Sequence, residues 1–309
     1  MYYPNAYWKR MARAALRNNW LTALLIALTV NLPSLLIQGI SSAAGYNLSA
    51  RMQAAIYAAI NESGAVDTAL LQAGLEEVLQ TPGVWIAQVL GILAWLLTPC
   101  LSMGMYAWML GRPRGESGPW TSVFSRLSLF GKAVLLRLWV TLRILVWMLP
   151  GVALSVLSLL PLWTANSSSR ISVLSSANTS LGLLSFSAVV MMVLGIAGAL
   201  RYQLSDVLMA DQPQLKVREA ARQCAAMMKG HVLRLFSLML SFILLYLLES
   251  LLVNFVLDAF GAIPGLMTEM LCSLALQVYM GMTLCAFFLT LRGEEVTVRP
   301  AVPEEEPLN

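Results

Sequence analysis

Six long apolar stretches, separated by more polar segments, dominate the chain. A helix needs about 20 consecutive apolar residues to cross the hydrocarbon core of a bilayer, and each stretch reaches that length. The pattern therefore predicts an all-α fold, a polytopic membrane helix bundle with six transmembrane helices. The predicted spans cover about residues 20–40, 84–110, 134–162, 181–204, 233–256 and 266–291.

Three shorter segments combine apolar and basic residues with the period of a helix. The clearest begins at Pro213 and ends at Gly230, with small apolar residues on one face and cations on the other. Similar segments begin near Asn5 and Pro119. Helices of this kind lie in the membrane interface, so we predict three cytoplasmic interfacial amphipathic helices. Each precedes two spans, and this order supports the hypothesis of a threefold helix-plus-hairpin repeat.

The basic faces of the first and third of these segments are expected to contact anionic lipid headgroups, at about 1 kcal/mol for each well-placed cation. Membrane lipids are therefore predicted partners, and other membrane proteins are a second class of partner. Nucleic acid is a poor alternative, because the cations lie at the ends of the spans. The residues predicted to contact headgroups are Lys9, Arg10, Arg13, Arg17, Lys216, Arg218 and Arg222.

Composition supports the same class of protein, and the charge distribution predicts its orientation. The chain is 58% hydrophobic and 12% charged, whereas about a quarter of the residues of a soluble domain are charged. Residues 1–291 are predicted to form one integral membrane domain, followed by a disordered cytoplasmic tail over residues 292–309. With both termini cytoplasmic, only Arg51 and Arg170 lie on external loops, as the positive-inside rule requires. The predicted location is the cell membrane, inner or plasma.

A few polar residues fall inside the apolar stretches and form a candidate intramembrane polar site. Glu249 lies well within the fifth predicted span, Asn254 follows it, and Asn31 lies in the first span. A carboxylate in hydrocarbon is costly unless it is paired or protonated. One interpretation is a proton or cation site. The other is a glutamate in the outer half of the span that reaches the interface or hydrogen-bonds a neighbouring helix.

Asp206 and Asp211 follow the fourth predicted span, and Lys229 ends the clearest basic segment. We predict that these three residues form a network of ion pairs or helix caps that holds this segment against the bundle. A hydrolase site built on paired carboxylates is the alternative. General acid–base catalysis also needs a cleft and a nucleophile, which the sequence does not indicate.

The sequence contains no nucleotide-binding loop, zinc-protease motif or serine-hydrolase motif. Its single histidine and four separate cysteines lack metal-ligand spacing, and the cysteines are predicted to be small buried hydrophobes. We therefore predict no metal, no cofactor and no enzymatic activity. Two classes of function remain. The first is a non-enzymatic membrane protein that acts through lipids or protein partners, as a scaffold, regulator or accessory subunit. The second is a small permease or channel-like transporter with a polar site around Glu249.

Several short motifs resemble those of a known family. They are YQLSD at residues 202–206, MADQP at 209–213, MKG at 228–230 and LSFI at 240–243, together with the basic first segment that ends in Asn19 and Trp20. This order is similar to the mainly bacterial integral membrane family catalogued as domain of unknown function 975. The chain departs from it at Cys224, where a serine is usual, and at Leu245, where a tryptophan is common. The resemblance implies a multi-span membrane protein and no known activity.

Overall fold

The structure is a computed structural model, and it describes residues 4–46, 48–59, 68–116, 118–158 and 170–294. Every regular element in this part of the chain is helical. The elements are α1 (Asn5–Leu16), α2 (Trp20–Ala43), α3 (Leu48–Ala59), α4 (Thr68–Gln80), α5 (Pro82–Gly111), a 3-10 helix (Trp120–Leu129), α6 (Phe130–Ser158), α7 (Arg170–Tyr202), α8 (Ser205–Asp211), α9 (Val217–Met227), α10 (Val232–Phe260) and α11 (Ala262–Arg292).

Six segments are long and apolar enough to cross a membrane. They lie in α2, in the 3-10 helix with α6, in α7 with α8, and in α5, α10 and α11. The predicted all-α polytopic bundle with six spans is therefore confirmed. Helix α7 begins at Arg170, and the apolar span within it begins at Gly182, close to the predicted start near residue 181. No glycine or proline interrupts residues 170–181, so nothing in that serine-rich stretch breaks the helix. The predicted end of the third span near residue 162 and the tail from residue 295 onward lie outside the described residues.

Helix α11 lies at the centre of the bundle. In its most apolar stretch 61% of the residues are buried, against 28% or less in the other five spans. It packs against α10, α1, α5 and α2. The large apolar surfaces that the other spans leave exposed, on α10 above all, are the surfaces that lipid would cover.

The three basic segments are helices that dock on the spans in a regular order. Helix α1 packs on α11 and α10, the 3-10 helix packs on α5 and α2, and α9 packs on α6 and α7. Each basic helix therefore packs mainly on two spans of another helix-plus-hairpin unit. Helix α1 packs on the spans of the third unit, the 3-10 helix on those of the first, and α9 on those of the second. This is the order expected if three such units interlock. The position of these helices in the cytoplasmic interface stays a prediction.

The second basic segment forms a 3-10 helix that lies directly on α5. Gly104 makes this approach feasible, because a Cβ atom at that position would lie 2.1 Å from the carbonyl oxygen of Val123. The Cys100 thiol, one turn away, donates to the carbonyl oxygen of Arg126 at 3.3 Å. The rings of Trp120 and Phe124 pack edge to face and form one aromatic face of this helix, where they are 45% and 42% exposed. That face is available to the membrane interface, where aromatic side chains are favoured.

Candidate functional site

A strongly charged cavity lies between α6, α7 and α9. It has a volume of about 670 Å³ and is open on one side. We call it the basic pocket. Its lining residues are Trp139, Arg143, Arg201, Tyr202, Lys216, Arg218, Glu219, Ala221, Arg222 and Ala225.

Local sequence explains how α9 contributes cations to this pocket. Val217, Ala220, Ala221 and Cys224 repeat with helical spacing and are buried against the bundle. The opposite face therefore carries Lys216, Arg218 and Arg222 outward, and all three are exposed. Burial raises the pKa of the Cys224 thiol to about 12. The thiol therefore stays neutral at physiological pH and acts as a small buried side chain.

Aromatic rings on α6 hold the arginines of the pocket. The guanidinium carbon of Arg218 lies 4.9 Å from the ring centroid of Trp139, and that of Arg143 lies 5.1 Å from the same centroid. Arg201, on α7, lies 5.8 Å from the ring of Trp147. Cation–π contacts of this kind orient a guanidinium group and leave its N–H edge free to bind an anion.

The charge of the pocket is almost entirely uncompensated. Five cations surround one carboxylate, that of Glu219, which accepts a hydrogen bond from Gln223 at 3.4 Å. Across the described residues, none of the five cations forms an ion pair. The Nε atom of Arg201 is buried without a hydrogen-bond partner. Because its cations outnumber its carboxylate, the pocket has the properties of an anion-binding site.

A separate charge network joins the ends of three elements. Arg114, after α5, donates to Oδ1 of Asp211 at 2.6 Å and to Oε2 of Glu294 at 2.8 Å. Arg292, at the end of α11, donates to the other carboxylate oxygen of Asp211. Only 8% of the Asp211 side chain is exposed. Burial alone would lower the pKa of Arg114, but its bonds to Asp211 and Glu294 outweigh that effect and raise it.

The three residues predicted to form one network therefore lie apart. Asp211 pairs with Arg114 and Arg292, whereas Oδ2 of Asp206 lies 4.0 Å from Nη1 of Arg137 on α6. Lys229 is exposed beyond the end of α9 and pairs with neither aspartate within the described residues. Helix α9 is held mainly by the burial of its apolar stripe on the third and fourth spans.

The cations of α1 have mixed environments. Nζ of Lys9 donates to the carbonyl oxygen of Ser241 at 3.0 Å and lies 4.5 Å from the ring centroid of Phe242. Burial and then the neighbouring charge of Arg13 lower the pKa of Lys9. Arg10, Arg13 and Arg17 are exposed. The ammonium group of Lys9 therefore binds α10 of the bundle. The three arginines remain candidates for headgroup contact.

A second cavity, which we call the polar groove, lies between α2 and α11 and has a volume of about 520 Å³. Nδ2 of Asn31 donates to Oε1 of Gln277 at 2.6 Å and to the carbonyl oxygen of Ala27 at 2.8 Å. Polar residues recur every four positions on α11, so that they face α2 along one stripe. The polar lining residues are Asn31, Ser34, Gln38, Glu269, Ser273 and Gln277.

The predicted polar site around Glu249 is not assembled as one cluster. Asn254 is exposed and donates to the carbonyl oxygen of Ser250 in its own helix at 2.7 Å. Glu249 is half-buried on α10 and pairs with no cation in the described residues. Neither residue lines the polar groove that contains Asn31.

Several residues that line the two cavities were not among the site residues predicted from the sequence. Trp139 and Arg143 are one helical turn apart, a spacing that could have indicated a shared face. Glu269, Ser273 and Gln277 likewise share a face, and their spacing of four within an apolar span was the available signal. No comparable local pattern links Arg114 to Asp211.

The described residues contain no group of three histidine, cysteine, aspartate or glutamate side chains able to hold a metal ion. All four cysteines are free; Cys100, Cys224 and Cys285 are buried, as predicted for small hydrophobes, and Cys272 is partly buried. The side chains of the basic pocket can bind anions, and those of the polar groove can bind polar groups or cations.

These features define a polytopic helical membrane protein with a basic pocket at one end of its bundle. The chain belongs to a family described as protein of unknown function (DUF975), whose family model matches residues 1–295. The resemblance noted from the sequence motifs is thereby confirmed. No curated protein and no solved structure matches the chain.

Proposed function

We propose that this protein is a non-enzymatic integral membrane protein that acts by binding anionic lipid headgroups, as a scaffold, regulator or accessory subunit. The observation that carries the proposal is the basic pocket, in which five cations converge and none is paired within the described residues. Basic pockets between transmembrane helices on the cytoplasmic side are typical binding sites for anionic headgroups.

The position of the pocket favours lipid over other anionic ligands. Its walls are formed by two apolar helices, α6 and α7, and the large exposed side chains of α6 beyond Arg143 are leucine, valine and tryptophan. A bound headgroup would leave its acyl chains against that apolar surface. We place the pocket on the cytoplasmic face of the inner or plasma membrane, with both termini cytoplasmic, because the positive-inside rule favours that orientation.

The proposal predicts that a change in the pocket removes bound anionic lipid. In Lys216→Gln/Arg218→Gln/Arg222→Gln, three exposed cations are lost from α9 while its buried stripe is retained. At about 1 kcal/mol for each cation, binding of phosphatidylglycerol should weaken by about 100-fold. The measurement is native mass spectrometry of the full chain in detergent with added phosphatidylglycerol or phosphatidylcholine.

A matched pair of single variants is Arg222→Gln, which removes one exposed cation of the pocket, and Lys229→Gln, which removes one exposed cation outside it. Lys229→Gln should retain most of the lipid binding and Arg222→Gln should lose part of it, and both should melt at the temperature of the unmodified protein. Equal loss of phosphatidylglycerol in these two single variants would show that the pocket is no binding site. Equal binding of phosphatidylcholine and phosphatidylglycerol would contradict the electrostatic basis.

The second candidate function is transport, and the polar groove is the observation that favours it. Glu269 and the Asn31–Gln277 hydrogen bond lie in spans that are otherwise apolar. In the described residues Glu269 has no ion-pair partner. A carboxylate within a membrane commonly marks an ion or proton pathway.

Transport predicts proton flux into proteoliposomes above that of empty vesicles, measured with an internal pH-sensitive dye. Glu269→Gln should abolish the flux, because it removes the titratable group of the groove. Asp258→Asn, a change in an exposed carboxylate of α10 outside the groove, is the matched control and should leave the flux near the level of the unmodified protein. If neither substitution alters flux or growth, and the pocket variant abolishes function, the transport hypothesis is wrong.

A further inference from the structure

We infer that the basic pocket selects a phosphate group with two negative charges, as a phosphomonoester or a diphosphate carries, over a singly charged phosphodiester. This inference rests on the proposed function, since it concerns the ligand of the same pocket. Three features of the pocket support it: five cations without ion pairs in the described residues, four of them arginines, and a single carboxylate, that of Glu219.

The charge balance favours a dianion. A phosphodiester headgroup would offset one of the five positive charges, and Glu219 offsets another. Several cations within one cavity would then still repel one another. Coulomb energy scales with the product of the charges, so a dianion gains about twice the attraction of a monoanion at the same distance. The cavity is partly enclosed by α6, α7 and α9, where screening by water and salt is weaker than on an open surface.

The side chains also match the oxygen atoms of a phosphomonoester. Four of the five cations are arginines, whose planar N–H forks bind phosphate oxygens in pairs. A phosphodiester presents two oxygens that are not esterified, and a phosphomonoester presents three. A third oxygen gives the remaining guanidinium edges of the pocket an acceptor.

The pocket is organised before a ligand arrives. Trp139 lies within cation–π distance of Arg143 and Arg218, so these two arginines from α6 and α9 already lie beside one ring. The backbone of Arg201 is tied to α9, because the Cys224 thiol donates to its carbonyl oxygen at 3.5 Å. Arginines that are already positioned lose less conformational entropy on binding, which increases the affinity for a ligand that fits them.

The test compares four ligands on the full chain in detergent at neutral pH by native mass spectrometry. They are phosphatidic acid, a lipid phosphomonoester; phosphatidylglycerol, a lipid phosphodiester; phosphatidylcholine, a zwitterion; and glycerol 3-phosphate, a soluble phosphomonoester. We expect the dissociation constant of phosphatidic acid to be lower than that of phosphatidylglycerol by about 10-fold or more. The preference should vanish in Lys216→Gln/Arg218→Gln/Arg222→Gln and persist in Lys229→Gln.

One further variant gives a result that misfolding cannot imitate. Glu219→Gln removes the only carboxylate that lines the pocket. It should tighten the binding of phosphatidic acid by about 3-fold or more, because a repelling charge is lost. Unchanged or weaker binding of phosphatidic acid to this variant would contradict the inferred electrostatic selection.

The outcomes separate the two proposals. Equal affinity for phosphatidic acid and phosphatidylglycerol, with both lost in the pocket variant, overturns the selection of a dianion and leaves anionic lipid binding intact. Binding of glycerol 3-phosphate without either lipid supports the phosphate class and shows that its source is soluble, which contradicts the proposed lipid function. No binding of any of the four ligands overturns both.

Discussion

Asp211→Asn should unfold at a distinctly lower temperature than the unmodified protein. The substitution removes the negative charge that lies between Arg114 and Arg292, and it does so at a side chain that is only 8% exposed. Removing one partner of a buried ion pair costs about 3–5 kcal/mol. Because both arginines remain partly exposed to solvent, we expect about 2–4 kcal/mol here. Thermal unfolding in detergent micelles measures the difference.

The matched control is Asp258→Asn, which removes an exposed aspartate near the far end of α10 that forms no ion pair in the described residues. It should change the unfolding free energy by no more than about 0.5 kcal/mol. A melting temperature for Asp211→Asn that equals that of the control would show that the network contributes nothing to stability.

The Asp211 network also bears on the basic pocket. Asp211 ends α8, and the chain continues from it through Pro213 into α9. Nζ of Lys132 at the start of α6 donates to the carbonyl oxygen of Pro213 at 2.9 Å. The segment that leads into the pocket is therefore fixed at both of these points. Loss of Asp211 should weaken phosphatidic acid binding as well as stability, whereas Asp258→Asn should affect neither.

Gly104→Ala should destabilise the bundle even though alanine is the better helix former. A Cβ atom at position 104 would lie 2.1 Å from the carbonyl oxygen of Val123 and 2.8 Å from its Cα atom. Both atoms belong to the backbone of the 3-10 helix, so the helix itself must move away from α5. Overpacking of this kind costs about 1–3 kcal/mol. The expected result is a lower melting temperature and looser binding of the 3-10 helix, detected by faster proteolysis between residues 112 and 129.

Gly91→Ala is the control for this change, because it lies in the same helix and a Cβ atom there would meet nothing within 4 Å. Alanine favours a helix over glycine by about 1 kcal/mol, so Gly91→Ala should be neutral or slightly stabilising. If Gly104→Ala behaved in the same way, the close contact between α5 and the 3-10 helix would not exist in the membrane protein.

Helix α7 shows why sequence patterns locate a span better than the full extent of its helix. The apolar run that begins near residue 181 predicted the span, which begins at Gly182, but the helix already begins at Arg170. The serine and asparagine residues before the span are common in loops and gave no helical signal. In α7 they form the first turns of a long helix, because extending an existing helix costs much less than nucleating one.

Sequence alone also identified α9 and its cations, but only part of their surroundings. Lys216, Arg218 and Arg222 follow from helical periodicity, which is a local property. Arg143 and Arg201 come from two other helices, and their approach to α9 depends on how α6 and α7 pack. The same holds for Asn31, whose amide meets Gln277 at a separation of 246 positions along the chain.

By itself, the sequence determined that this protein is a polytopic helical bundle with six spans. Span length, hydrophobicity and helical period are properties of neighbouring residues, so they can be recognised without the fold. Only the tertiary structure decided that Asp211 meets Arg114 across 97 positions and Arg292 across 81 positions. It also decided that Glu249 and Asn31 lie in different places and that five cations share one pocket. Such convergence depends on which helices pack together, and long-range packing leaves no periodic signal in a single chain.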